Sequence, residues 1–264
     1  MKSFYKIRND MVFKSIFCKE ENKELLERLI KEVIGEDVTV ISLNVPELIK
    51  DKVYVKGKTL DVLVKTKDKE INIEINSVTN TYLRRRNAAY IFKRYSDSVN
   101  VGDSYKEMTN FIQINLTANL SYEYPDICKY MMYDQINNLT YIDNLSIYEI
   151  NVAKFKDLCY NEKKPSILSM LDMNLDELLN IRGDKLMEKL KKEAIYLNND
   201  EEFVKFLDDE TEDRLFINTF IEMGIEQNNL EITKKMLAKN TDINFISEIT
   251  GLSIEEINKI NDEL

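Results

Sequence analysis

Asp61, Glu74 and Asn76 are the residues whose types and spacing could do chemistry. Across Ile71-Asn72-Ile73-Glu74-Ile75-Asn76 isoleucine alternates with polar residues, the period-2 signature of a strand buried on one side, so Glu74 and Asn76 share a face. Upstream, Leu60-Asp61-Val62-Leu63-Val64 is apolar with one acid, and a strand buried on both faces retains an acid only where a partner or ion satisfies it. An Asp on one strand and a Glu on the next, with a third group two residues beyond the Glu, is the D…E-x-K arrangement of metal-assisted phosphodiester hydrolysis. Asp61 and Glu74 would hold Mg²⁺ or Mn²⁺, with the backbone carbonyl of Ile75 as a further oxygen ligand. The ion would lower the pKa of a bound water and offset charge in the transition state. Asn76 occupies the third position, often a lysine; it can hydrogen-bond that water but brings no charge.

Such a site needs a hairpin with one particular register. Thr66-Lys67-Asp68-Lys69-Glu70 is a polar link of hairpin length. If paired residue numbers sum to 135, Asp61 faces Glu74 at roughly 5 Å between Cβ atoms. Two carboxylates that close repel, and a hard divalent cation relieves them.

Composition narrows the alternatives. The chain of 264 residues contains no histidine, which excludes Ser-His-Asp and Cys-His nucleophile systems, His-ligated zinc and H-E-x-x-H proteases. With six glycines and neither a Walker-type loop nor a G-x-G-x-x-G turn, a kinase, ATPase or dinucleotide enzyme is disfavoured. No apolar run is long enough to span a membrane and the N-terminus has no signal-peptide core, so a cytoplasmic chain with no membrane partner is expected. Cys18, Cys128 and Cys159 are far apart and read as reduced, mostly buried thiols. The net charge of −10 runs against a nucleic-acid binder, so the distribution of cations matters more than their total.

That distribution is uneven. The segment Tyr82–Val99 is helical in pattern, with Ala88, Ile91, Phe92, Tyr95 and Val99 as its expected buried stripe. It carries Arg84, Arg85, Arg86, Lys93 and Arg94 against the single acid Asp97, and Arg86, Tyr90, Lys93 and Asp97 fall on one face. These cations suit phosphate contacts, and equally suit a solvated face offsetting nearby acids; Glu74 could pair with one of the arginines. Before the hairpin, Asn9 or Asp10 can cap a helix buried through Val12, Phe13, Ile16 and Phe17, and Gly35 closes a second built on Leu25 to Ile34. Val38–Val45 is the expected first strand, ended by Pro46; Val53–Val55 and the Gly57 turn lead into the hairpin. Phe111–Leu116 and Ser146–Val152 are later strands, joined by a tyrosine-rich connection that reads mainly as packing.

Beyond about residue 155 the pattern is helical only. The acidic run Asp208–Asp213 reads as a solvated link or helix start. In the tail, Gly251 ends one helix and Ser253 with Glu256 forms a capping box for the next. Those two short helices have a helix-turn-helix outline, but Glu255, Glu256 and Asp262 suit a protein partner better than a DNA groove.

Asn9-Asp10-x-x-Phe13-Lys14-x-x-Phe17, Leu60-Asp61-Val62-Leu63, Ile73-Glu74-Ile75-Asn76, the Arg84–Tyr95 helix, Gly102-x-x-Tyr105 leading into Phe111–Leu116, and the Ile249–Ile257 tail together resemble the recombination-promoting nuclease/putative transposase (Rpn-like) group of the PD-(D/E)XK nuclease superfamily. The resemblance implies an α/β fold: a restriction-endonuclease-like core, with a central mixed β-sheet flanked by helices, over residues 1–155, and an all-α region over 156–264. It implies metal-ligand places for Asp61 and Glu74, puts Asn76 where Gln or Lys is usual, and offers Asp10 as an additional acid. The implied activity is DNA cleavage linked to recombination or mobile elements. A relative that keeps the fold but binds DNA or protein without cutting is the alternative, and RNA is a third substrate class to weigh. A homodimer would supply two sites for two strands.

Overall fold

The computed structural model describes residues 4–44, 62–76, 82–98, 104, 108–118, 120–121 and 123–262. Asp61, Pro46, the 53–57 segment, Val99, Gly102 and Tyr105 lie outside the described residues. The described chain separates into two compact units, residues 1–204 and 205–264.

The first unit opens with α1 (Asp10–Phe17), capped by Asn9, whose side chain accepts from the amides of Met11 and Val12. Its Val12, Phe13, Ile16 and Phe17 are all buried, and the rings of Phe13 and Phe17 stack at 4.3 Å. A single 3-10 turn, Glu20–Asn22, leads into α2 (Lys23–Ile34), which buries Leu25, Leu26, Leu29, Ile30 and Val33 and ends at Gly35 with φ 79°. That left-handed conformation is cheap only for a residue without a Cβ.

Six strands form one sheet: β1 (Ser42–Asn44), β2 (Val62–Lys65), β3 (Lys69–Asn76), β4 (Asn110–Thr117), β5 (Ile127–Met131) and β8 (Leu145–Asn151), in the order β1-β2-β3-β4-β8-β5. The β2–β3 hairpin is antiparallel, and its pairs Val62–Ile73, Leu63–Asn72, Val64–Ile71 and Lys65–Glu70 each sum to 135. The β3–β4 and β4–β8 pairs are parallel. Between β5 and β8 a small ribbon of β6 (Tyr133–Asp134) and β7 (Leu139–Thr140) stands apart as its own sheet. The first strand begins at Ser42, later than its alternation suggests. Ahead of it the backbone is committed elsewhere, since the Val40 amide donates to Glu27 on α2.

Because directly paired residues share a face, the register sorts every strand into two sets. One face is apolar: Val62, Val64, Ile71, Ile73, Ile112, Ile114, Leu116 and Ile150 are all buried there. At roughly 1.5–3 kcal/mol per buried aliphatic side chain, this face dominates the favourable energy of the sheet. The other face carries Asn72, Glu74, Asn76, Gln113, Asn115, Thr117, Glu149 and Asn151, and it is equally buried. Helix α3 (Leu83–Asp97) covers one end of it, where Ile91 packs with Phe111 and Leu145, flanked by Tyr95 and Ile147. The buried line of α3 is therefore Leu83, Asn87 and Ile91; Phe92, expected inside, is exposed because α3 meets the sheet along only one narrow edge.

After β8 come α4 (Val152–Glu162), α5 (Ile167–Met170), α6 (Leu175–Asn180) and α7 (Lys185–Asn199), which contact one another and α1 or α2. Glu32 of α2 caps α5 by accepting from the amides of Ile167 (3.1 Å) and Leu168 (3.0 Å). Burial raises the Glu32 carboxyl despite these amides and Arg28. Asp172 gathers Lys6 at 2.9 Å, Arg8, and Lys156 at 3.8 Å, tying the N-terminal segment to this helical layer. The cysteines are free and half-buried, less enclosed than expected. Tyr130, Tyr133 and Tyr141 of the connection are exposed, while Tyr148 is buried in β8.

The acidic run is neither a link nor a helix start: α8 (Glu201–Leu237) passes through it without a break. No glycine or proline interrupts residues 201–223, so local propensity favours continuation. The second unit contains most of α8 with α9 (Ile243–Thr250) and α10 (Ile254–Asp262). Gly251 closes α9 with φ 72°, and Ser253 and Glu256 form the reciprocal cap of α10. Ile246 and Ile257 are buried, and Asn229 of α8 donates to the carbonyl of Thr250.

Candidate active site

The polar sheet face is organised in rows that cross strands. Glu74 on β3, Asn115 on β4, Glu149 on β8 and Cys128 on β5 are mutually paired and form one row. Asn76, Thr117 and Asn151 form the next. Adjacent strands lie about 4.8 Å apart, so Glu74 and Glu149 stand about 10 Å apart at the backbone with Asn115 between them.

Hydrogen bonds knit the rows together. Asn72 donates to Gln113 (2.9 Å), Gln113 to Asn115 (2.9 Å), and Asn115 to Glu149 (3.3 Å). Thr117 donates its hydroxyl proton to Glu149, and Asn76 Nδ2 donates to Thr117 Oγ1 at 3.3 Å. Burying so many polar groups is tolerable only because they satisfy one another. Among the described residues, the buried Asn72 Oδ1 and Asn87 Nδ2 atoms have no partner.

Helix α3 closes this network with a cation. Arg86 Nη2 donates to Glu74 Oε1 at 3.1 Å and to Asn76 Oδ1 at 3.0 Å, while its Nε contacts Asn87 Oδ1 at 3.4 Å. Glu74 is 6% exposed and the Arg86 side chain 43%, so the pair joins a buried acid to a cation open to solvent. Two residues earlier, Arg84 lies over the ring of Tyr124 at 4.5 Å and donates to its hydroxyl at 3.2 Å. Burial raises the Tyr130 phenol, helped by Cys128 and Glu149 and opposed by Arg84, so these groups share one electrostatic neighbourhood.

Of the residues singled out from the sequence, Glu74, Asn76 and Arg86 come together. Ile75 turns its side chain to the opposite face, leaving only its backbone for this side. Arg85 is exposed, Lys93 is exposed and pairs with Asp97 at 3.0 Å, and Arg94 is half-buried. Asp10 binds Lys14 of its own helix at 2.7 Å. Asn115, Thr117 and Glu149 were missed. For Glu149 a signal existed: Glu-Ile-Asn occurs at 74–76 and again at 149–151, and the two copies lie in the same two rows.

The donor set suits a hard cation. It consists of carboxylate and amide oxygens, including Asn72 Oδ1, which has no partner among the described residues, with neither imidazole nor a thiol pair. Among the described residues no three acidic, histidine or cysteine side chains cluster closely enough to hold a metal.

A mixed six-stranded sheet with flanking helices and a helical C-terminal region is a restriction-endonuclease-like α/β fold. Within that class, a model of the PD-(D/E)XK nuclease family transposase matches residues 7–218, and the chain belongs to this family. Its function is therefore of nuclease type. Comparison with curated proteins and with solved structures gives no match.

Proposed function

We propose that the chain is a divalent-metal-dependent DNA endonuclease serving recombination or a mobile element. The observation that carries this reading is a buried carboxylate, Glu74, on a buried polar sheet face, held by the solvent-exposed Arg86 of the basic helix α3. Asp61 directly precedes Val62, and if the pairing of Val62 with Ile73 continued by one residue it would face Glu74. Together they would hold Mg²⁺ or Mn²⁺, with the Ile75 carbonyl as a third oxygen. A bound ion supplies Lewis acidity and an activated water at neutral pH.

The remaining roles belong to the chain's own side chains. Asn115, Thr117 and Glu149 hold Asn76 in place through the hydrogen bonds of the two rows. Arg84, Arg85, Lys93 and Arg94 supply charge for the DNA backbone, as arginine's planar fork suits phosphate oxygens. Each phosphate contact should steepen the salt dependence of binding by about 0.9 in log–log slope. Asp10 remains a candidate additional acid.

A non-cutting, binding role is the second reading, favoured by the neutral Asn76 and by the occupation of Glu74 by Arg86. Supercoiled plasmid incubated with Mg²⁺ or Mn²⁺ separates the two. Nicking by the wild type that Glu74→Ala and Asp61→Ala both abolish supports the nuclease. No cleavage of plasmid or RNA, or cleavage indifferent to both substitutions, overturns it.

A further inference from the structure

The site contains a cation that does not come from its strand motif. Asn76 stands where a lysine would bring a positive charge two residues beyond Glu74, and its orientation can be worked out from its neighbours. Thr117 has one hydroxyl proton and donates it to Glu149. It can only accept from position 76, which sets the Asn76 amide nitrogen toward Thr117 and its carbonyl oxygen toward α3. That oxygen receives Arg86 Nη2 at 3.0 Å, and the same nitrogen reaches Glu74 Oε1 at 3.1 Å. One guanidinium nitrogen therefore bridges the first and third residues of the Glu-x-Asn motif.

The rest of that guanidinium is available. Nε and Nη2 face Asn87, Asn76 and Glu74, whereas Nη1 has no protein partner among the described residues. Arginine offers five N–H donors in a planar fork, and it cannot act as a base at neutral pH. Its fitting task is to donate to a phosphate oxygen or the attacking water as charge develops.

We propose that Arg86 is a catalytic residue: it delivers from helix α3 the positive charge that the third position of the strand motif lacks, with Asn76 as its mount. This rests on the nuclease reading above. The opposing view of the same contacts is that Arg86 restrains Glu74 and must leave before a metal enters. The two predict opposite signs for its removal.

Single-turnover plasmid cleavage in Mg²⁺ would compare wild type with Arg86→Ala, Arg86→Lys, Asn76→Lys and the double variant Asn76→Lys with Arg86→Ala. Removing one charge-stabilising donor costs roughly 10²–10³ in rate. Arg86→Ala should fall by about that factor, Arg86→Lys by roughly tenfold or less, and the double variant should recover at least tenfold over Arg86→Ala. Affinity for a short duplex, measured in Ca²⁺ without cleavage, should change by less than about threefold, since the charge acts in the transition state. If Arg86→Ala melts early, Arg86→Gln carries the same comparison.

An Arg86→Ala rate within about threefold of a cleaving wild type, a faster variant, or a double variant with no recovery would overturn this role and leave the nuclease reading standing. A binding loss that accounts for the whole rate loss would also overturn it, making Arg86 a phosphate anchor. A wild type that cuts neither plasmid nor RNA would overturn both.

Discussion

Asp10 offers the sharpest test of structural against chemical roles. Its carboxylate meets the Lys14 ammonium at 2.7 Å, one helical turn away, and the side chains are 16% and 3% exposed. Asp10→Ala would strand a buried ammonium. Removing one partner of a buried pair costs about 3–5 kcal/mol, and the slight exposure of Asp10 points to the lower end, about 3 kcal/mol. Loss of an acid from the first helical turn adds a few tenths of a kcal/mol. At roughly 2–4 °C per kcal/mol for a unit of this size, the melting temperature should drop by about 6–12 °C. Replacing both residues, Asp10→Leu with Lys14→Met, removes the stranded charge and should recover most of that loss. Thermal melts of the wild type, Asp10→Ala and the double variant check the energies. A melting drop below about 2 °C for Asp10→Ala, or a double variant no more stable than the single, would refute the reasoning. Plasmid cleavage by the recovered double variant then decides the role: retained cutting makes Asp10 a structural residue, and lost cutting in a folded protein makes it the additional acid.

Three further outcomes follow from the same geometry. Burial raises the Asp172 carboxyl, but Lys6 and Arg8 outweigh it and hold the group below its ordinary range. A lowered folded-state value stabilises the fold above the unfolded value of about 3.9 and is lost as pH falls through the folded one. Asp172→Asn should therefore melt lower than wild type near pH 7, with the gap closing below about pH 4; a gap that widens toward acid would contradict this. Burial, with Asp10 adding and Lys14 opposing, pushes the Cys18 thiol up to about 12. At pH 8 its thiolate fraction should be about a thousandfold below that of an unperturbed cysteine, so peptide mapping after brief alkylation should find Cys18 essentially unmodified. Glu149→Leu leaves the Thr117 hydroxyl and an Asn115 amide hydrogen without their acceptor, at about 1–3 kcal/mol each. Denaturant midpoints should rank wild type, then Glu149→Gln, then Glu149→Leu, and equal midpoints for the two variants would count against the network.

The hairpin was legible because its physics is local. Alternation in Ile71–Asn76 sets which side chains face inward, and a one-residue slip would turn every isoleucine outward, so the register had essentially one solution. The Asn9 cap, the Gly35 and Gly251 stops and the Ser253–Glu256 box were legible for the same reason. Each joins residues within a single turn. The Arg86, Tyr90, Lys93 and Asp97 face could also be read from helical period alone. Conversely, Phe92 was misassigned because hydrophobicity does not reveal how narrow a contact a helix makes. The acidic run was misread because charge density indicates solvation and says little about whether a helix continues through it.

The sequence by itself determined which residues could face one another on the hairpin, where the caps and glycine stops of the short helices fall, and that any chemistry must run without histidine. Tertiary structure alone decided that Glu149 shares a row with Glu74, because parallel strands separated by long crossovers carry no local signal of register. It also decided that Arg86, one of three consecutive arginines, is the one bound to Glu74 and Asn76. Adjacent helical residues point about 100° apart, and only the docking of α3 through Ile91 onto Phe111 and Leu145 selects which of them faces the sheet.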